Sequence, residues 1–170
     1  MAEHVWSLLC SASSIDRETQ IVSLFNVIEY LTITEPAEVL QQALEAKAAF
    51  PAPMELWSWW IRSDYATPEA AIMRCGLVAP DGDRLLQKLF RISLEEARTA
   101  HTKLRIPAFP FRGLGLYWWM VEKKCAGDSE EWETVARIPI ELVQRDPATS
   151  SPTAPVPPSE PTPAALRESS

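Results

Sequence analysis

The sequence predicts a mostly β protein: a two-layer antiparallel β-sandwich of seven or eight strands, with one α-helix and a disordered C-terminal tail. Three observations predict it. Short runs rich in β-branched and aromatic residues recur between turn signals. One stretch alone carries clear helical periodicity. The strands are not separated by the crossover helices that parallel pairing needs.

Taken in order, "HVWSLLCSAS" and "IVSLFNVIEYLTI" read as a hairpin of two largely buried strands across the polar break "SIDRETQ". "TEPAEVLQQALEAKAAF" is the helix. Pro36 suits its first position, Glu35 and Glu38 complement its N-terminal dipole, and Val39, Leu40, Ala43 and Leu44 form a short apolar stripe. In "PAPMELWSWWIRSD", alternation puts Trp57, Trp59 and Ile61 on one face and Leu56 and Trp60 on the other. "EAAIMRCGLVAPDGDRLLQKLFRIS" is a second hairpin, with Asp81-Gly82 as a tight turn of positive φ angles. "SLEEARTA" pairs Ser93 with Glu96 as a capping box and admits a turn or two of helix. "HTKLRIPAFPF" alternates Leu104 and Ile106 against Lys103 and Arg105, and Pro107 assigns it to an edge or a bulge. "GLGLYWWMVEKK" and "EWETVARIPIELV" form the last hairpin across "CAGDSE".

The folded domain is expected over residues 1–145 and a disordered tail over 146–170. Seven prolines fall between Pro147 and Pro163 among Ser, Thr and Ala, a composition that cannot bury enough apolar surface to offset its ordering entropy. Within the domain the chain is ordinary for a globular protein, at 46% hydrophobic and 23% charged, but its seven tryptophans are many for 170 residues. The net charge of −7 opposes both the cationic surface that nucleic-acid binding requires and attraction to anionic lipid, so neither partner is expected. The opening residues lack a cationic signal region, and cytoplasmic residence is the expectation.

Catalytic and metal chemistries find little support. Cys10, Cys75 and Cys125 are widely spaced, without a C-x-x-C, and His4 and His101 lie near none of them. No G-x-S-x-G elbow or G-K-[ST] motif occurs, and "FRGLGLY" lacks the third glycine and the strand–loop–helix setting of a dinucleotide site. Asp81-Gly82-Asp83 is accounted for as turn chemistry, not a calcium loop. No cofactor or metal is expected.

The stretch "FPFRGLGLYWWMVEKK" is apolar on both faces, as a covered central strand would be. Adjacent strand residues face opposite ways, so each of the doublets Trp59-Trp60 and Trp118-Trp119 presents one ring on each side. If one exposed indole from each doublet met in space, they would form a patch. With Arg105 and Arg112, these four tryptophans are the candidate interaction surface, because Trp and Arg dominate interface hot spots.

The segments "SLLCSASSIDRETQIVSLFNVIEYLTI" and "LRIPAFPFRGLGLYWWMVEKK…ARIPIELV" resemble a family of small, uncharacterised bacterial proteins that open with an "LLC" strand and close on an "F-x-G-x-G-x-Y" turn and strand. The resemblance covers roughly residues 5–143 and implies a C2-like or immunoglobulin-like sandwich. It transfers no catalytic residue. The function expected is a non-catalytic domain that binds a protein partner or itself. The alternatives are a small-ligand or glycan module using exposed tryptophans, and an enzyme of unknown type.

Overall fold

A computed structural model describes residues 2–64, 66–125 and 131–145. The expected tail, 146–170, lies outside the described residues, as does most of the loop before the last strand. Among the described residues the chain forms β1 (Ala2–Ile15), β2 (Val22–Val27), β3 (Tyr30–Ile33), α1 (Ala37–Glu45), β4 (Ala49–Arg62), β5 (Glu69–Val78), β6 (Arg84–Leu94), β7 (Thr99–Pro110), β8 (Gly115–Cys125) and β9 (Glu133–Gln144). The strands build two sheets, sheet A in the order β2-β1-β4-β7 and sheet B in the order β3-β9-β8-β5-β6. This is the two-layer sandwich with a single helix that the pattern of apolar runs predicts, built among the described residues from nine strands rather than seven or eight.

The core follows from side-chain alternation. Leu9, Leu56 and Trp60 from sheet A meet Met73, Leu77, Tyr117 and Trp119 from sheet B in one apolar cluster. The helix closes the sandwich with Leu40 and Ala43. Pro36 sits at its N-cap, one position earlier than expected, where its carbonyl accepts the Leu40 N–H at 3.1 Å.

The glycines near the "F-x-G-x-G-x-Y" segment have a local reason. Gly113 and Gly115 take φ of +100° and +124°, a region that favours glycine. The corner they make is tied by Tyr117, whose hydroxyl accepts the Arg112 N–H at 2.8 Å and donates to the Gly113 carbonyl at 2.7 Å. This resembles the tyrosine corner of other β-sandwiches. The turn at Asp81-Gly82 is longer than expected. The Gly82 N–H reaches the Ala79 carbonyl, and only Gly82 has positive φ, so a type I turn followed by a left-handed glycine replaces the two-residue turn.

Three further expectations are corrected. "IVSLFNVIEYLTI" is two strands in different sheets: β2 pairs with β1, whereas β3 crosses over and pairs parallel to β9. The break falls at Ile28–Glu29, between the end of β2 at Val27 and the start of β3 at Tyr30, just after Asn26 adopts φ of +52°. That parallel pair is the exception in an otherwise antiparallel fold. Strand β2 is also far from buried, with Phe25 and Val27 about half exposed. Finally, "SLEEARTA" forms no helix. Arg62 takes the carbonyls there, its Nη1 donating to Leu94 O at 3.1 Å and its backbone N–H to Arg98 O at 2.9 Å, and β6 simply bends into β7.

Candidate interaction surface

Because Trp60 and Trp119 both point into the shared core with no exposed area, their neighbours Trp59 and Trp118 lie on the two opposite outer faces of the sandwich. They do not meet. The six candidate residues therefore divide. Trp60 and Trp119 are core, and their indole N–H groups find no acceptor among the described residues. Trp59 and Arg105 share the outer face of sheet A. Trp118 lies on the outer face of sheet B. Arg112 sits at the β7–β8 corner and folds its guanidinium back onto the Phe111 carbonyl at 2.6 Å.

The outer face of sheet A is a grid set by strand register. One cross-strand row is Trp6, Trp59 and His101, the next Leu8, Trp57 and Lys103, and the third Cys10, Glu55 and Arg105. In the first row the ring centroids lie 6.2 Å (Trp6–Trp59) and 6.0 Å (Trp59–His101) apart, the latter pair nearly parallel at 13°. Trp6 and Trp59 are half-buried and His101 is exposed. In the second row Trp57 is almost fully covered, with the Lys103 ammonium 5.0 Å from its ring centre.

The third row is polar. Glu55 accepts from Ser13, from Trp57 Nε1 at 3.1 Å and from Lys103 Nζ at 3.2 Å, and Arg105 Nε stands 3.6 Å away. Burial opposes ionisation of Glu55, but the bonds from Ser13, Trp57 and Lys103 outweigh it and hold its pKa below the ordinary carboxylate value. Burial, then the Glu55 charge, raises the Cys10 thiol, which is a buried neutral group and a poor nucleophile. Burial lowers His101, so it is neutral near pH 7. The Arg105 side chain is 79% exposed and keeps spare donors facing solvent.

The outer face of sheet B is arranged differently. Glu122 receives two bonds from Arg74, at 2.7 and 2.8 Å, and two from Arg84, at 3.0 and 3.5 Å. The Arg74 guanidinium also lies 4.2 Å from the centre of the Trp132 ring, between an indole and a carboxylate. The bonds from Arg74 depress the Glu122 pKa against the opposing effect of burial. Trp118 lies under Arg137, 4.8 Å from its ring centre. Arg74, Arg84 and Arg137 are thus engaged within the face.

Two other features carry less. Inside the sandwich, His4 Nε2 lies 2.7 Å from Ser7 Oγ, which donates to Ser58 Oγ at 2.7 Å. Ser58 is almost fully buried, and His4 is half-buried. A cleft of about 190 Å³ opens beside β3, lined by Leu31, Phe50, Pro51, Phe109 and Leu142 together with the backbone around Thr34. It holds no pair of titratable groups suited to acid–base chemistry. Among the described residues no cluster of three His, Cys, Asp or Glu could hold a metal, and no helix is long and apolar enough to cross a membrane.

Reading residues in sequence order missed Trp6, Trp57, Glu55, Lys103 and His101 as members of one surface. Their alternation was visible, but the register of β1, β4 and β7 that joins them was not.

No family model and no curated protein matches the chain. Among solved structures, the C-terminal domain of wzt is 10% identical, with a TM-score of 0.48 over 85% of this chain and 74% of that one. A glycosyl hydrolase family 2 member from Bacteroides cellulosilyticus DSM 14838 is 12% identical, with a TM-score of 0.42 over 55% of this chain and 13% of that one. Similarities this distant carry no argument about activity or ligand.

Proposed function

We propose that this protein is a non-catalytic recognition domain that binds another protein through the outer face of sheet A. The observation that carries the reading is the cross-strand row Trp6, Trp59 and His101, left half-open on the same face as Arg105 with its spare donors. Aromatic rings held by a rigid sheet lose little entropy on binding, and Trp and Arg supply most of the energy at interface centres. The fixed Glu55 carboxylate, two rows away on the same face, also favours a second reading, in which an oligosaccharide stacks on Trp59 and extends to hydrogen-bond with the polar row.

Affinity capture with Trp59→Ala and Trp118→Ala variants, compared with the parent, tests the proposal. A partner retained by the parent and by Trp118→Ala but lost with Trp59→Ala supports it. A partner lost only with Trp118→Ala overturns it. Quenching of indole fluorescence by oligosaccharides, in the absence of any protein partner, would favour the sugar.

A further inference from the structure

We propose that β2 is a self-association edge: two copies pair their β2 strands antiparallel about a two-fold axis and join two four-stranded sheets into one. The inference is independent of what sheet A recognises.

The argument comes from comparing edges. Among the described residues the two sheets end in four edge strands: β2 and β7 in sheet A, β3 and β6 in sheet B. An exposed edge presents unpaired backbone groups, and proteins guard such edges with charges, prolines or short length. Strand β7 carries Lys103, Arg105, Pro107 and Pro110. Strand β6 carries Arg84, Lys88 and Arg91. Strand β3 is only four residues long. Strand β2, "VSLFNV", has no charge and no proline. Its single irregularity, the left-handed Asn26, falls near its end and leaves Val22–Phe25 regularly paired with β1.

The side chains agree with the backbone. Phe25 is 49% and Val27 53% exposed, and through the β1 register both extend the apolar outer face that includes Leu8. Charge selects the occupant. With a net −7, two copies repel over most orientations, and an uncharged edge lets them approach without placing like charges opposite one another. An antiparallel strand pair is its own complement under a two-fold axis, so a second copy satisfies this edge with no further design. Six residues bury less than a standard interface of about 1,200–2,000 Å², so the dimer is weak, with dissociation in the micromolar range. The two-fold axis is perpendicular to the sheet, so the joined sheet presents both Trp6–Trp59–His101 rows on one side, a bivalent surface.

Sedimentation equilibrium of the full chain across the micromolar range tests this. The expected result is a mass that rises toward twice the monomer with concentration. Phe25→Lys and Val27→Lys should each weaken association at least about tenfold, because each puts two like charges, one from each copy, into one short strand pair. Leu89→Lys, a control on the guarded β6 edge, should leave the mass unchanged, and circular dichroism confirms that each variant is folded. Hydrogen exchange of the parent needs no substitution: amides of 22–27 should gain protection as concentration rises. A monomer throughout, a dimer indifferent to both β2 charges, or unchanged protection of β2 would each overturn the proposal. So would a monomer that instead takes up a foreign extended peptide along β2.

Discussion

The two outer faces of this sandwich have similar ingredients and use them in opposite ways. Each carries tryptophans, cations and a carboxylate that accepts bonds from them. On sheet B the carboxylate Glu122 is almost fully buried, with two guanidiniums directed at it and Trp132 covering one of them. On sheet A the carboxylate Glu55 aligns its neighbours, while the Trp6–Trp59–His101 row and most of Arg105 stay open to solvent. Ion pairs and aromatic rings stabilise a fold when they satisfy one another and are available to a partner when they do not. By that measure sheet B consumes its outer face internally and sheet A keeps its own in reserve.

Substitutions can break that contrast, beginning with the tryptophan doublets, where the expected effect is largest. Trp60→Ala and Trp119→Ala should each cost about 3–5 kcal/mol in urea denaturation, since each empties a fully buried site. Trp59→Ala should cost about 1 kcal/mol, because its ring is half open and its surroundings can relax. A Trp59→Ala loss as large as that of Trp60→Ala would mean the open row is structural after all.

The carboxylates come next. Glu122→Gln should cost about 2–3 kcal/mol, because it leaves the guanidiniums of Arg74 and Arg84 facing a neutral amide in a mostly buried setting. Glu55→Gln should cost about 1 kcal/mol, since Arg105 is mostly exposed and Lys103 can turn toward water. Equal losses would erase the distinction between the faces.

A pH titration of stability sharpens it further. His4 is lowered by burial and by nearby Lys123, against a raising bond from the Trp6 backbone, so the native state favours neutral imidazole. Its contribution is complete above the usual histidine value of 6.5 and is lost as pH falls through its lower native value. His101, also lowered by burial, adds to the same loss, so stability should decline on acidification from neutral pH and His4→Gln should reduce that decline without abolishing it. Glu122 and Glu55 are also depressed, so a second, steeper loss begins below the ordinary glutamate value of 4.5. The smallest effect on folding should be that of Arg105→Ala, within about 0.5 kcal/mol, although it removes spare donors from the proposed recognition face.

Much of the fold was legible before the structure. Alternation around Trp59-Trp60 and Trp118-Trp119 identified strands with one ring on each side, and Pro107 placed its strand at an edge. These are local signals, written in neighbouring residues. What stayed hidden depends on chain segments far apart. Glu55 meets Ser13 across 42 residues and Lys103 across 48, and no local pattern announces that register. The split of "IVSLFNVIEYLTI" escaped for a related reason: Ile28 and Glu29 between the two strands include no glycine or proline to mark a turn, and the crossing to the other sheet depends on the distant strand β9. The patch that one exposed indole from each doublet would have made does not form, because the doublets belong to different sheets.

The parallel pairing of β3 with β9 has a consequence for how the chain acquires its shape. Strand β9 lies between β3 and β8, so β3 has no neighbour in its sheet until residues 133–144 have been made. Synthesis runs from the N-terminus, and β1, β2 and β4 can assemble while β3 waits for its slot. The closing step of folding is thus the insertion of the last strand between two earlier ones, and a ribosome-bound chain halted before residue 133 would carry an incomplete second layer.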